Sequence, residues 1–154
     1  QLSDVEVLAA PVVVAALNMI GSLGAGWLSG RLAVRSQLTI YPVLTVIALA
    51  ALTVGTSTAV TLGALGMIGF AYGATIAAFP AVVSMLFGPS AGIRAYGRVF
   101  TAWGTAGLLA PSLAGFLFER SGEYVVPLGV ACALGVASIV AVWALPRSSP
   151  ETRA

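Results

Sequence analysis

The sequence predicts an all-α fold: a polytopic membrane helix bundle with five transmembrane helices. Of its 154 residues, 59% are hydrophobic and only 8% are charged, whereas charged residues make up about 25% of a soluble domain. The apolar stretches are continuous and lack the alternation of barrel strands, and each approaches the roughly 20 residues that a membrane-spanning helix needs. The charged residues lie between these stretches or at their ends.

The five predicted spans follow one another with short connections, over residues 5–29, 38–54, 59–87, 99–118 and 124–145. The first, third and fourth spans are rich in glycine, and the second and fifth consist mainly of Ala, Val and Leu. Small residues allow membrane helices to approach closely. We therefore expect the first, third and fourth spans to form a packed inner layer and the other two to face lipid.

The arginines predict the orientation of the bundle, because basic connections are retained in the cytoplasm. Arg31 and Arg35 follow the first span, Arg94 and Arg98 follow the third, and two further arginines follow the fifth. With five spans, these three segments share one side. We expect a multi-pass protein of the cell (inner or plasma) membrane, with the N-terminus of this chain extracytoplasmic and its C-terminus cytoplasmic.

The spans lack the side chains that catalysis or metal binding requires. The sequence has no histidine and a single cysteine, and no carboxylates pair within a span. We expect no enzyme activity, no cofactor, no metal site and no nucleic-acid partner. The partner that the composition implies is the lipid bilayer.

Hydroxyl and aromatic side chains of the glycine-rich spans are the candidates for a substrate cavity: Ser22, Tyr72, Thr75, Trp103 and Thr105. Hydrogen bonding within or between helices, or ordinary packing, is the alternative explanation for each. Glycine and proline in the third and fourth spans are candidate flexing points, with pure packing as the alternative: Gly73, Pro80, Gly104, Gly107 and Pro111.

Two runs of sequence resemble a known transporter family. GWLSGRLAVR at residues 26–35 resembles the cytoplasmic signature loop of the major facilitator superfamily. A longer run, residues 70–111, is similar to the oxalate:formate antiporters and their monocarboxylate-transporter relatives. It contains FAYG at 70–73, FPA at 79–81, LFG at 86–88, YGR at 96–98 and TAWGTAG at 101–107.

This resemblance implies that the chain is the C-terminal half of a twelve-helix transporter, with its helices eight to twelve. The missing partners would be the N-terminal six-helix half and the seventh helix. The implied function is alternating-access transport of a small organic anion such as oxalate, formate or a monocarboxylate, by antiport or proton-coupled symport. Gly26, Arg31 and Arg35 would shape the cytoplasmic gate, and Ser22 stands where many relatives carry arginine.

Two alternatives stay open. A superfamily exporter of neutral or lipophilic compounds would suit spans without charge. A non-transporting five-helix membrane interaction protein would also satisfy the composition.

Overall fold

The computed structural model describes residues 4–55 and 57–144. These residues form five helices and the connections between them. The helices are α1 (Asp4–Ser29), α2 (Val34–Val54), α3 (Thr58–Gly88), α4 (Ala91–Ser121) and α5 (Val125–Ala144). Each is long and apolar enough to cross a membrane, and the described ranges contain no strand. The predicted fold class is confirmed.

Gly88 separates α3 from α4 within an otherwise continuous helical stretch, Thr58–Ser121. Its φ of 74° and ψ of 169° fall in a region that glycine alone adopts without strain. Pro89 follows in the sequence, and proline restricts the residue before it to an extended ψ. Because α4 begins earlier than the predicted residue 99, Arg94 and Arg98 lie in its first turns and not in a loop.

The glycines of α3 let its backbone meet that of α1. A Cβ at Gly73 would overlap the carbonyl oxygen of Asn18, and one at Gly69 would lie 2.6 Å from the carbonyl oxygen of Val14. Close packing of the first and third spans was expected from their glycines. At these contacts the residue numbers increase in the same direction in both helices, so α1 and α3 are parallel. α2 connects them and runs in the opposite direction.

The second helix is central and does not simply face lipid, so that expectation is wrong. Tyr41 of α2 is buried in one cluster with Ala25 of α1 and Ala74 of α3. On another side α2 packs against α5, where Val46 meets Gly135. Alanine allows a close helix approach as glycine does, so the lack of interior glycine was a poor indicator of lipid exposure. The fifth helix remains on the outside and has no buried residue.

The fourth helix is the least covered of the five. No residue from 93 to 121 is buried, and a Cβ at Gly104, Gly107 or Gly115 would meet nothing within 4 Å. The expectation that this span belongs to a packed inner layer is wrong for the described chain. Its glycines have no neighbouring helix there.

Described arginines from two segments, one following α1 and one at the start of α4, lie at one end of the bundle. Because α1 and α3 are parallel, the turn after α1 with Arg31 lies at the same end as Arg94 and Arg98 at the start of α4. The end of α5 joins them, since Arg35 donates a hydrogen bond from Nη2 to the carbonyl oxygen of Trp143. The arginines after the first and third spans therefore share one end, as the charge pattern predicted, and Arg120 lies at the far end of α4. Arg147 and Arg153 lie outside the described residues, and the orientation in the membrane stays a prediction.

Candidate functional site

A cavity of about 530 Å³ lies between α3, α4 and α5. Small-molecule sites typically measure about 300–1,000 Å³, so its size suits a small organic solute. All of its lining residues belong to the described part of the chain, and none of them is charged. Its polar and aromatic lining comes from Thr75, Phe79, Tyr96, Phe100, Trp103 and Ser138.

Three aromatic rings of α4 form one side of the cavity. Tyr96, Phe100 and Trp103 are spaced four and three residues apart, which places them on one face of the helix. The Phe100 and Trp103 ring centroids are 4.9 Å apart with 27° between the planes, and those of Tyr96 and Phe100 are 5.8 Å apart. Phe100 is 49% exposed and Trp103 is 47% exposed, so the cavity is open and not sealed.

Two residues with hydroxyl groups line the cavity from the other two helices. Thr75 of α3 donates its hydroxyl proton to the carbonyl oxygen of Ala71 at 2.7 Å, and its oxygen can still accept a bond. Ser138 contributes a second hydroxyl from α5. The lining can therefore hold an apolar body and orient a few polar atoms, but it offers no countercharge.

Two of the five predicted cavity residues meet in this cavity. Thr75 and Trp103 both line it, from α3 and α4 respectively. Tyr72 is 46% exposed and lies one turn before Ile76, a lining residue, on the same face of α3. The substrate role of all three stays a prediction.

The structure places the other two predicted residues away from the cavity. Ser22 donates its hydroxyl proton to the carbonyl oxygen of Gly73 at 3.0 Å, across the α1–α3 interface. Thr105 donates to the carbonyl oxygen of Thr101 at 2.9 Å within α4. Thr105 follows Trp103 by two residues, about 200° around the helix, so the two side chains point in different directions.

Sequence reasoning missed most of the cavity lining. Tyr96 was missed because it lies before the predicted start of the fourth span at residue 99, and Phe100 was missed because it is only the second residue of that span. The spacing of Tyr96, Phe100 and Trp103 over two turns was the available signal. No sequence feature indicates that Ser138 of α5 completes the cavity, because that contact depends on helix packing.

The candidate flexing residues differ in their surroundings. Gly73 is closely packed against α1, whereas Gly104 and Gly107 face open space. Within Thr58–Ser121, Gly88 is the residue with non-helical dihedral angles. The backbone is therefore helical at Pro80 and at Pro111. Packing therefore accounts for Gly73, and flexing at the other positions stays a prediction.

The signature-loop residues lie outside the cavity, at the arginine-rich end. The Arg31 guanidinium stacks 3.6 Å from the centre of the Trp27 ring. Arg35 stacks on Trp143 at 4.7 Å while bonding the carbonyl oxygen of that residue, which suits a cation at a helix C-terminus. A Cβ at Gly26 would meet nothing within 4 Å. The role of Gly26, Arg31 and Arg35 in a gate stays a prediction.

Gln37 links α2 to the turn after α1, at the arginine-rich end of the bundle. It was not singled out from the sequence. It is 1% exposed, and its Nε2 donates to the carbonyl oxygen of Leu32 at 3.0 Å, in the turn after α1. Its Oε1 and the hydroxyl of Tyr41, one turn further along α2, are buried without a hydrogen-bond partner among the described residues. The buried amide fixes the geometry of the turn between α1 and α2.

Five helices long and apolar enough to span a membrane, three of which line a solute-sized cavity, define a multi-pass membrane protein with a candidate solute site. The family model of the Major Facilitator Superfamily matches residues 2–154, and the chain belongs to this family of membrane transporters. No curated protein and no solved structure matches the sequence.

Proposed function

We propose that the chain is the C-terminal part of a secondary transporter that carries a small organic molecule by alternating access. The observation that supports this best is the cavity between α3, α4 and α5, with its solute-sized volume of about 530 Å³ and its aromatic lining. Transporters of this kind bind their substrates between packed helices. Family membership alone gives the transporter class and leaves the substrate open.

The packing suggests which parts would move. α1 and α3 are held backbone to backbone at Gly69 and Gly73, so they would move as one unit. α4 has no buried residue from 93 to 121 and joins α3 through Gly88. Movement of α4 relative to α3 would open or close the cavity, because the two helices supply opposite walls.

Two substrate classes compete for this cavity. The sequence run over residues 70–111 supports a small organic anion such as oxalate, formate or a monocarboxylate, moved by antiport or with a proton. A buried carboxylate needs a cation or several hydrogen-bond donors, and no lining residue is charged. Ser22, where many relatives carry arginine, donates to Gly73 and faces α3. The lining therefore favours the second class, a neutral or lipophilic compound.

A non-transporting interaction protein of five helices is the least supported of the alternatives. The chain belongs to a family of transporters over residues 2–154. A packed interaction module would also have little use for an open cavity with half-exposed aromatic rings.

We further propose the placement of this part within a complete transporter. The arginine-rich end would face the cytoplasm in the cell membrane, with the start of α1 on the opposite side. The side of α4 that faces away from the cavity, within residues 93–121, would pack against the seventh helix and the N-terminal six-helix half. The lack of any buried residue from 93 to 121 in the described chain supports this, because this side of the helix has no neighbour there.

Cysteine labelling of the full-length protein tests the cavity assignment. In a Cys132→Ala background, we expect Thr75→Cys and Trp103→Cys to react with a water-soluble thiol reagent and to be protected by substrate. Val136→Cys on α5 is the control, since Val136 is 48% exposed but lies outside the cavity and would face lipid. Equal labelling of all three positions would show that the cavity assignment is wrong.

Transport by the full-length protein in proteoliposomes separates the substrate classes. We expect efflux of an uncharged lipophilic compound and little counterflow of labelled formate or oxalate. Saturable counterflow of either anion would instead support the anion class. If neither kind of compound moves, the transport proposal itself fails.

A further inference from the structure

We infer that the cavity recognises an aromatic ring in its substrate, by stacking on the Tyr96, Phe100 and Trp103 rings of α4. This inference rests on the proposed transport function and names the substrate class within it: a planar, uncharged aromatic compound with a small polar group. It follows from the order of the rings, their exposure and the lack of charge around them.

The rings form a stacked series and not a random apolar surface. The Phe100 and Trp103 planes lie within 27° of each other at a centroid separation of 4.9 Å, and Tyr96 follows Phe100 at 5.8 Å with a tilt of 41°. These separations fall within the range at which aromatic rings attract one another by offset stacking or tilted contact. A further ring can extend such a series with the same geometry.

Two rings of the series keep free surface. Phe100 and Trp103 keep about half of their surface exposed, at 49% and 47%, while both line the open cavity between three helices. Phe79 adds a fourth ring from α3. A planar solute placed against these faces would bury aromatic surface on more than one side.

The rest of the cavity lining determines which substituents a bound aromatic ring can have. With no charged side chain in the cavity, an ionised substituent would lose its hydration without gaining a partner. Thr75 and Ser138 bring hydroxyls and Trp103 an indole N–H to the lining, and groups of these kinds bond a small neutral substituent such as an amide or a hydroxyl. Specificity therefore comes from ring stacking together with one or two hydrogen bonds.

Four probe compounds separate the contributions of ring and charge: benzamide, benzoate, cyclohexanecarboxamide and cyclohexanecarboxylate. Binding is measured as the ligand-induced shift in Tm of the purified full-length protein, because a ligand that binds the folded state stabilises it. We expect benzamide to bind about two- to tenfold more tightly than cyclohexanecarboxamide. Simple partition into apolar surroundings predicts the reverse order, since the saturated ring is the more lipophilic.

Two leucine substitutions on α4 provide the matched comparison. Phe100 and Phe116 are each 49% exposed, and Phe100 alone of the two lines the cavity. We expect Phe100→Leu to bring the ratio of the dissociation constants of the two amides close to one. Phe116→Leu should leave this ratio unchanged. Trp103→Leu is a second cavity variant, expected to act as Phe100→Leu does, and it replaces that variant if Phe100→Leu does not fold.

The outcomes distinguish the two proposals. Equal binding of the two amides, or a preference for benzamide that survives both Phe100→Leu and Trp103→Leu, overturns the recognition of a ring. Tighter binding of benzoate than of benzamide overturns the uncharged class. If benzamide binds with the expected preference but no probe is transported in proteoliposomes, ring recognition stands and the transport function proposed for this cavity fails.

Discussion

The α1–α3 pair and α4 contain the same small residues but pack in opposite ways. A side chain at Gly69 or Gly73 of α3 would collide with the backbone of α1, whereas Gly104 and Gly107 of α4 face open space. Glycine gives a membrane helix the capacity for close approach, but it does not show whether a neighbour is present. Similar composition therefore accompanies a rigid pair in one region and an uncovered helix in the other.

This difference in packing bears on the proposed transport function. The packed pair carries the interface hydrogen bond from Ser22 and the buried cluster around Tyr41. The uncovered helix carries the three rings that line the cavity. The arrangement is suited to a transporter in which a fixed scaffold holds a movable wall of the substrate site.

The largest effect is expected from adding a methyl group where two backbones meet. Gly73→Ala places a Cβ against the carbonyl oxygen of Asn18, and a backbone atom cannot move aside as a side chain does. We expect a loss of about 2–3 kcal/mol in stability, typical of overpacking. Chemical unfolding of the full-length protein in mixed micelles measures it.

Gly107→Ala is the matched control on α4. A Cβ there would meet nothing within 4 Å, and alanine is favoured over glycine inside a helix by about 0.5–1 kcal/mol. We expect no loss of stability, or a small gain. A loss as large as that of Gly73→Ala would contradict the contrast between the two regions and would show that α4 is closely packed in the intact protein.

A smaller effect is expected at the junction of the two regions. Gly88 has a φ of 74° and a ψ of 169°, a region in which a residue with a side chain is strained by about 1–3 kcal/mol. Gly88→Ala should lower stability by that amount and change the angle at which α4 leaves α3. Gly97→Ala, within α4 and with open space around it, should be neutral or slightly stabilising in the same unfolding experiment. Equal effects would mean that the break at Gly88 is not a feature of the folded protein.

The sequence was sufficient for the five spans because their signal is local. Bilayer thickness fixes the length of an apolar helix, and loop arginines mark one side. The start of α4 was placed too late, at 99, because Arg94 and Arg98 resembled a connection, whereas α4 begins at Ala91, directly after the break at Gly88. Arginine is tolerated in the first turns of a membrane helix when its side chain reaches the membrane surface.

The layer order and the cavity could not be derived in the same way. Gln37 and Tyr41 make α2 central through contacts with the turn after α1 and with α3, and no pattern within α2 identifies those partners. Thr75 and Trp103 were found by residue type, but Ser138 joins them only through the packing of three helices. Predictions that depend on neighbouring helices therefore failed more often than predictions that depend on one.

The smallest expected effect tests a single hydrogen bond across the packed pair. Ser22→Ala removes the bond to the carbonyl oxygen of Gly73, and such bonds between membrane helices contribute about 0.6 kcal/mol on average. Ser112→Ala is the control, because Ser112 donates at 3.2 Å to Leu108 within its own exposed helix and should change stability little. If Ser22 instead lines a substrate path, Ser22→Ala should leave the unfolding free energy unchanged and alter the apparent KM of transport. A stability loss with unchanged KM places this hydroxyl in the scaffold and not in the substrate site.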